Sequence, residues 1–145
     1  LDWVRRNTTV PPQCNSNSSW KGTCWYTHAP TGIAVTRHGH TLLVAHAVED
    51  PPVIRAFDKM GGRLIASLAV SATKLTVTPD EQSFWAMRAD DNAGRISRFP
   101  TPTETATSTP HALETPTELA AVVGVTTGCA ISVHPTTSDL YVTDR

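Results

Sequence analysis

The sequence predicts an all-β protein built from a repeated unit of four short strands. Three segments read as the same β-hairpin, because each has two runs of alternating apolar and polar residues around a polar turn. The three segments are residues 32–45, 74–87 and 129–143. Their first strands begin at Ile33, Leu75 and Ile131, which lie 42 and 56 residues apart. This register indicates an internal repeat.

The third and fourth strands of the unit follow from the same comparison. Residues 54–57 align with residues 96–99 at the 42-residue offset, and residues 63–68 align with 119–124 at the 56-residue offset. These are short apolar runs bounded by turn residues, as strands are. Residues 21–26 fall where the fourth strand of a preceding unit would lie.

The packing of such units predicts the architecture. A four-stranded sheet has two apolar faces, and sheets arranged radially around an axis bury both faces of every copy, as in a β-propeller. We therefore predict a propeller segment with antiparallel four-stranded units over residues 30–70, 72–126 and 128–145, the last incomplete. So few units leave apolar faces and strand edges open. Further units or partner chains are expected to complete the ring.

The first unit resembles an NHL repeat. The stretch PTGIAVTRHGHTLLVAHAVEDPPVIRAFDKMGGRLIASL follows the order of that family: P-x-G-I-A-V, a polar turn, L-x-V-A-D, R-I-x-x-F and a short glycine-containing close. The resemblance extends over residues 27–145 and implies a propeller of usually about six blades. His46 stands where the family has Asp, and the Asn-His pair that names the repeat is absent from both loops.

Residues 1–29 are predicted to be a separate N-terminal cap. Cys14 and Cys24 are ten residues apart and are predicted to form a disulfide, and Asn7 and Asn17 open N-x-Ser/Thr glycosylation sequences. Together these features predict an extracellular or secretory-lumenal chain. The alternative is a cytosolic chain with reduced thiols. The sequence has no apolar run of roughly eighteen residues, so we predict no membrane span.

The candidate metal ligands are carboxylates in two corresponding loops. Glu49 and Asp50 follow the second strand of the first unit, and Asp90 and Asp91 follow that of the second. Lactonase-type propellers, which this fold resembles, bind Ca²⁺ near such positions, since Ca²⁺ takes six or more oxygen ligands. Solvated or turn-capping carboxylates are the alternative.

Two histidines and a cysteine are further candidates. His38 and His40 lie two residues apart in the first hairpin turn and could both face one metal ion, although the chain lacks the three equivalent histidines expected from a resemblance to the zinc-bearing lyases with this fold. No third ligand recurs at the other turns, so solvated turn residues are the alternative. Cys129 is expected to be a small buried apolar residue at the start of a strand. No G-x-S-x-G motif is present.

Four arginines could form a basic strip for RNA. They are Arg55, Arg88, Arg95 and Arg98. No interleaved aromatic residues are expected beside them, and the net charge is −1. Ion pairs with Asp58, Asp90 and Asp91 are therefore the preferred interpretation, and no nucleic-acid partner is predicted.

The stretch over residues 100–117 is an insert rich in Thr and Pro. It accounts for the larger second offset, and its low apolar content argues against a core of its own. Three interpretations stay open: an O-glycan acceptor, an extended strand docked on a neighbouring unit, or a functionally silent disordered loop.

These observations predict a non-catalytic extracellular or lumenal scaffold that makes protein–protein contacts in a larger assembly, without a cofactor. The alternative is part of a metal-dependent lactonase or lyase propeller that uses Ca²⁺ or Zn²⁺. The fold hosts binding proteins and enzymes alike, so it does not decide between them.

Overall fold

The computed structural model describes residues 30–89, 94–103, 112–125 and 128–143. Over these residues the protein is all β and contains no helix. The strands are β1 Gly32–Val35, β2 Thr41–His46, β3 Val53–Asp58, β4 Leu64–Leu68, β5 Ala72–Val77, β6 Ser83–Arg88, β7 Arg95–Pro100, β8 Leu113–Glu114, β9 Ala120–Val123, β10 Ala130–Val133 and β11 Leu140–Thr143. The predicted disulfide (Cys14, Cys24), the glycosylation sites Asn7 and Asn17, and the carboxylates Asp90 and Asp91 lie outside the described residues.

The strands form three sheets. Sheet 1 has the order β1-β2-β3-β4-β8, sheet 2 has the order β5-β6-β7-β9, and sheet 3 pairs β10 with β11. Apart from β8, neighbouring strands of sheets 1 and 2 pair antiparallel, as the repeat predicts. The three predicted hairpins are confirmed, and so are the predicted third and fourth strands of the first two units.

The hairpin turns repeat the same backbone closure. Thr36, Thr78 and His134 each follow the first strand of their sheet. In all three, the backbone N–H donates to the carbonyl of the residue before or at the start of the second strand, over 2.8 to 3.0 Å. The hydroxyls of Thr36 and Thr78 also accept the N–H that opens the second strand. Short polar side chains thus end the first strand at equivalent places.

The sheets are closest at their first strands. β5 contacts both β1 and β10, whereas β4 and β9, the fourth strands of their units, have no comparable contact with each other. At the junction, the Thr31 hydroxyl donates to the Ala72 carbonyl over 2.7 Å. A Cβ atom at Gly32 would lie 2.9 Å from the Thr73 carbonyl oxygen, so only glycine allows β1 to approach β5 this closely.

The core lies between sheets 1 and 2. From sheet 1 it takes Leu43, Ala45, Ile54, Ala56 and Leu68, and from sheet 2 it takes Leu75, Phe84, Ala86 and Phe99. The rings of Phe84 and Phe99 are 5.8 Å apart between centroids, within the range of favourable aromatic pairs. Because side chains alternate along a strand, the intervening residues face the other side of each sheet.

One strand departs from the predicted antiparallel four-stranded unit. β8 lies in the Thr/Pro-rich insert and pairs parallel with β4, aligning Leu113 with Ser67 and Glu114 with Leu68. The Ala69 N–H donates to the Glu114 carbonyl over 2.7 Å. Sheet 1 therefore has five strands, one of them contributed by the polypeptide of sheet 2. This confirms the interpretation that the insert docks on a neighbouring unit as an extended strand.

Two further observations concern the rest of the described chain. Cys129 is exposed, so the expectation of a buried thiol was wrong. The residue precedes β10, in a sheet that has two strands among the described residues and gives its end little cover. No helix long and apolar enough to cross a membrane occurs in the described ranges.

Candidate functional site

The candidate site is an apolar face of sheet 1. Equivalent repeat positions of a sheet face the sheet that precedes it in the chain. In sheet 2 these positions include Leu75 and Phe84, whose side chains are buried against sheet 1 and only 8% and 0% exposed. Their counterparts in sheet 1 are Ile33 and Leu42. Ile33 is 66% exposed, because the described residues place no sheet against it.

The register of β1, β2 and β3 defines this face. Val35 pairs with Leu42, and Ile33 pairs with Val44. Cross-strand partners lie on the same side of a sheet, so these four apolar side chains share one surface. We call it the open face of sheet 1. Val35 is also exposed, whereas Ala34 between the two packs toward the core.

A half-buried ion pair lies on the same side. Arg55 pairs with Val44 across β2 and β3, so it extends the open face. Its two terminal nitrogens donate to the two carboxylate oxygens of Glu49, each over 2.6 Å. His46 Nδ1 lies 3.9 Å from the Glu49 carboxylate. A guanidinium thus occupies both oxygens of Glu49, which leaves this carboxylate poorly suited to ligate a cation.

Of the predicted metal ligands, Glu49 and Asp50 lie in the described part of the chain, and Asp90 and Asp91 lie outside it. Among the described residues, no three His, Cys, Asp or Glu side chains lie close enough to hold a metal ion. Glu49 is paired with Arg55, and Asp50 is its sequence neighbour. Around Glu49, the apolar open face is bordered by the Arg55–Glu49 ion pair, whose two charges neutralise each other.

Of the three aspartates predicted to pair with the arginines, Asp58 lies in the described residues, and it is not the partner of Arg55. Arg55 pairs with Glu49, whereas the Asp58 carboxylate accepts the Gly61 N–H over 2.8 Å in the turn between β3 and β4. Short local hydrogen bonds from backbone N–H groups compete well for an aspartate in a turn. The sequence offered one signal for the observed pair, since Glu49 lies in the loop that leads into β3.

Two of the other arginines, Arg95 and Arg98, have partners of their own. Arg95 forms an ion pair with Glu118. This pair, with the Ser97 hydroxyl, lowers the pKa of Glu118, and hydrogen bonding to Glu118 raises the pKa of Arg95. Arg98 lies 6.0 Å from the ring centroid of Trp85 and donates to Ser83. An aromatic residue does accompany one arginine, contrary to expectation, but in an internal cation–π contact.

The histidine turn joins the first two sheets. Both His38 and His40 side chains are exposed, as expected for solvated turn residues. The Glu81 carboxylate, from the turn between β5 and β6, accepts the backbone N–H groups of His38 and Gly39 over 2.8 and 2.6 Å. Burial raises the pKa of Glu81, but these N–H groups and that of Arg37 outweigh it, so the pKa is lowered overall.

The third sheet leaves the opposite end of the array open. Tyr141 in β11 is the counterpart of Leu43 in β2. Leu43 is 0% exposed because sheet 2 covers it, whereas Tyr141 is 58% exposed. In the contact between sheets 1 and 2, Leu43 and Leu75 face each other's sheet and are buried. Sheet 3 exposes the side that corresponds to Leu43, and sheet 1 exposes the side that corresponds to Leu75.

Comparison with known proteins gives a likeness of fold. No family model matches the chain, and no curated protein matches it. Among solved structures it is similar to hydrazine synthase of Kuenenia stuttgartiensis, with a TM-score of 0.57 and 16% sequence identity, over 78% of this chain and 29% of that one. The chain thus spans about 29% of the length of this solved neighbour. At such identity the likeness concerns the all-β fold alone.

Proposed function

We propose that this chain is a segment of a β-propeller and acts as a non-catalytic scaffold that binds other protein through sheet-to-sheet contacts. The observation that carries the proposal is the open face of sheet 1. Its apolar positions are the ones that sheets 2 and 3 turn toward the sheet before them. A surface of this kind is an interaction site, since soluble proteins seldom leave contiguous apolar patches uncovered.

A radial arrangement is supported by how the sheets approach each other. The first strand of sheet 2, β5, contacts the first strands of both other sheets, β1 and β10, and among the described strands no comparable contact joins β4 to β9. Sheets that converge at one end and diverge at the other generate a ring when the step is repeated. The same repeat positions serve both contacts within the chain, so a further sheet can use them again.

The chemistry of the open face indicates what covers it. We propose that the occupant is another sheet of the same repeat, from further units of a longer polypeptide or from a second chain. It would present small and aliphatic residues at its centre, as sheet 1 presents Ala34, Leu43 and Ala45 to sheet 2. Covering Ile33 and Val35 contributes on the order of 1–2 kcal/mol for each side chain.

A double variant of the open face tests this proposal. We expect the wild-type chain to self-associate in light scattering as its concentration rises, because Ile33 and Val35 on the open face are exposed. Ile33→Asp with Val35→Asp should abolish the association, since two carboxylates cannot be buried there without a partner.

The matched control is Met60→Asp, which places one carboxylate at an exposed apolar residue in the turn between β3 and β4. We expect it to associate like the wild type. A folded wild-type chain that stays monomeric up to high micromolar concentration would contradict the proposal, as would equal loss of association in the control.

A further inference from the structure

The outer edge of sheet 2 is a second surface, distinct from the open face of sheet 1. β9 is the last strand in the order β5-β6-β7-β9, and within the described ranges no strand pairs with its other side. All four residues of β9 are exposed. In the equivalent strand of sheet 1, Ile65 and Ala66 are buried and β8 covers the edge.

The composition of this edge favours strand pairing. Residues 119–125 read LAAVVGV and contain neither charge nor proline. Exposed edges are normally protected against added strands by Lys, Pro, a bulge or a covering segment. The nearest acidic group, Glu118, is engaged by Arg95. Among the described residues, β9 thus has a β-prone, uncharged edge with which no other strand pairs.

The molecule itself contains an example of what covers such an edge. β8 adds to β4 through two aligned residues, and its Leu113 side chain is about half exposed. The contact therefore depends on backbone hydrogen bonds and an extended conformation more than on side-chain burial. This is the pattern of recognition by β-strand addition.

We propose that β9 binds an extended segment of a partner protein as an additional parallel strand, as β4 binds β8. The segment would be of the β8 type: an extended stretch with an aliphatic residue such as Leu113, held mainly through its backbone. This surface is independent of the proposed sheet-to-sheet contact, because β9 lies at the end of sheet 2 away from β5, the strand next to the neighbouring sheets.

A labelled synthetic peptide of residues 111–117, HALETPT, is the probe. We expect saturable binding to the full chain in fluorescence anisotropy. Val123 is 70% exposed on β9, and Val123→Lys should weaken binding at least about tenfold by placing a solvated charge at the edge. Val48→Lys adds the same charge at an exposed loop residue and should leave binding within about twofold.

Two further peptides and one further variant complete the design. A peptide N-methylated at alternate residues loses donors on one edge and should bind at least about tenfold more weakly. A scrambled peptide should not bind. The Ile33→Asp and Val35→Asp double variant should bind the original peptide normally, which separates this proposal from the proposed function.

Three outcomes would overturn the assignment of β9. These are the absence of saturable binding, binding that the scrambled peptide equals, and binding that Val123→Lys leaves unchanged while its unfolding midpoint matches the wild type. The last outcome would indicate that the peptide replaces β8 at β4 instead.

Discussion

Glu81 links two sheets through one carboxylate. It adopts φ +59° in the turn between β5 and β6, and its oxygens accept the His38 and Gly39 N–H groups of the neighbouring turn. A Cβ atom at Gly39 would lie 3.0 Å from one of these oxygens, a tight contact that glycine avoids. Charge-assisted bonds of this kind are stronger than neutral ones.

We expect Glu81→Gln to lower the free energy of unfolding by about 1 kcal/mol at neutral pH, because one oxygen acceptor and the negative charge are lost. The folded pKa of Glu81 lies below its ordinary value of 4.5, so its contribution is complete above that pH and is lost as pH falls through the folded pKa. Urea denaturation of wild type and variant near neutrality and in acid measures this. The difference should shrink in acid.

Met60→Ala is the control for this comparison, since it truncates an exposed side chain that does not titrate. Its difference from wild type should be the same at both pH values. A Glu81→Gln deficit that persists undiminished in strong acid would contradict the role assigned to the ionised carboxylate.

At the scale of single residues, the sequence predicted which strand positions are buried, but it did not predict which polar side chains pair with each other. The alternation around Leu75 and Phe84 was readable because strand side chains face opposite sides in turn. The pairing of Arg55 with Glu49 was not, because it depends on how a loop folds back over β3. Cys129 was misjudged for a related reason, since its burial depends on neighbours that its own strand does not supply.

At the scale of elements, the insert places β8 against β4 of sheet 1, a pairing that the four-stranded repeat does not require. In sheet 1 the connection between β3 and β4 is a short turn, whereas the corresponding connection in sheet 2 runs from β7 to β9 by way of β8 on sheet 1. The Thr41 hydroxyl donates to the Pro102 carbonyl over 3.0 Å, which holds the start of this connection against sheet 1. Residues 100–103 of this connection line a cavity of about 270 Å³ together with Ala66 and Leu68 of β4.

Deleting residues 104–117 tests this pairing, because it removes the fourteen residues by which the two repeat offsets differ. We expect the sheets to form, with a connection as short as that of sheet 1. The Ala69 amide should then exchange faster with solvent, since it loses the Glu114 carbonyl. Unchanged exchange at Ala69 would show that β8 does not protect the edge of β4.

The amide of Ala56 offers the internal comparison, because it lies in β3 between two paired strands of sheet 1. Its exchange should be unaffected by the deletion. Faster exchange at both amides would mean that the insert supports sheet 1 as a whole.

Ten of the eleven strands in the described residues follow patterns that the sequence displays, and the exception is instructive. β8 consists of Leu113 and Glu114, which are too few to show alternation. Its pairing is set by contact with β4, 46 residues earlier. Local periodicity identifies strands that carry their own apolar face, and it misses a strand formed only by pairing.

At the scale of the whole molecule, the three sheets form an array whose two ends differ from its interior. The repeat predicted that too few units would leave apolar surface open, and the exposure of Ile33 at one end and Tyr141 at the other agrees with this. The number of sheets in the proposed assembly would depend on contacts with further sheets, so no local pattern encodes it.

Truncating the side chain at one repeat position in each of the three sheets tests whether the first sheet is open, because the burial of that position differs among the sheets. We expect Leu75→Ala to cost about 2–4 kcal/mol of unfolding free energy, because the side chain is buried between sheets 1 and 2. Ile33→Ala should cost less than about 1 kcal/mol in the isolated chain, since its side chain is already in water. Ile131→Ala, at a half-buried side chain, should fall between them.

Urea denaturation of the three variants at one protein concentration, low enough to keep the chains dissociated, measures this order. Equal costs for Ile33→Ala and Leu75→Ala would contradict an open first sheet, because they would show that Ile33 is covered within the isolated chain. When a further sheet binds the open face, the loss of unfolding free energy caused by Ile33→Ala should rise toward that caused by Leu75→Ala. Ile33 would then be buried between two sheets, as Leu75 already is.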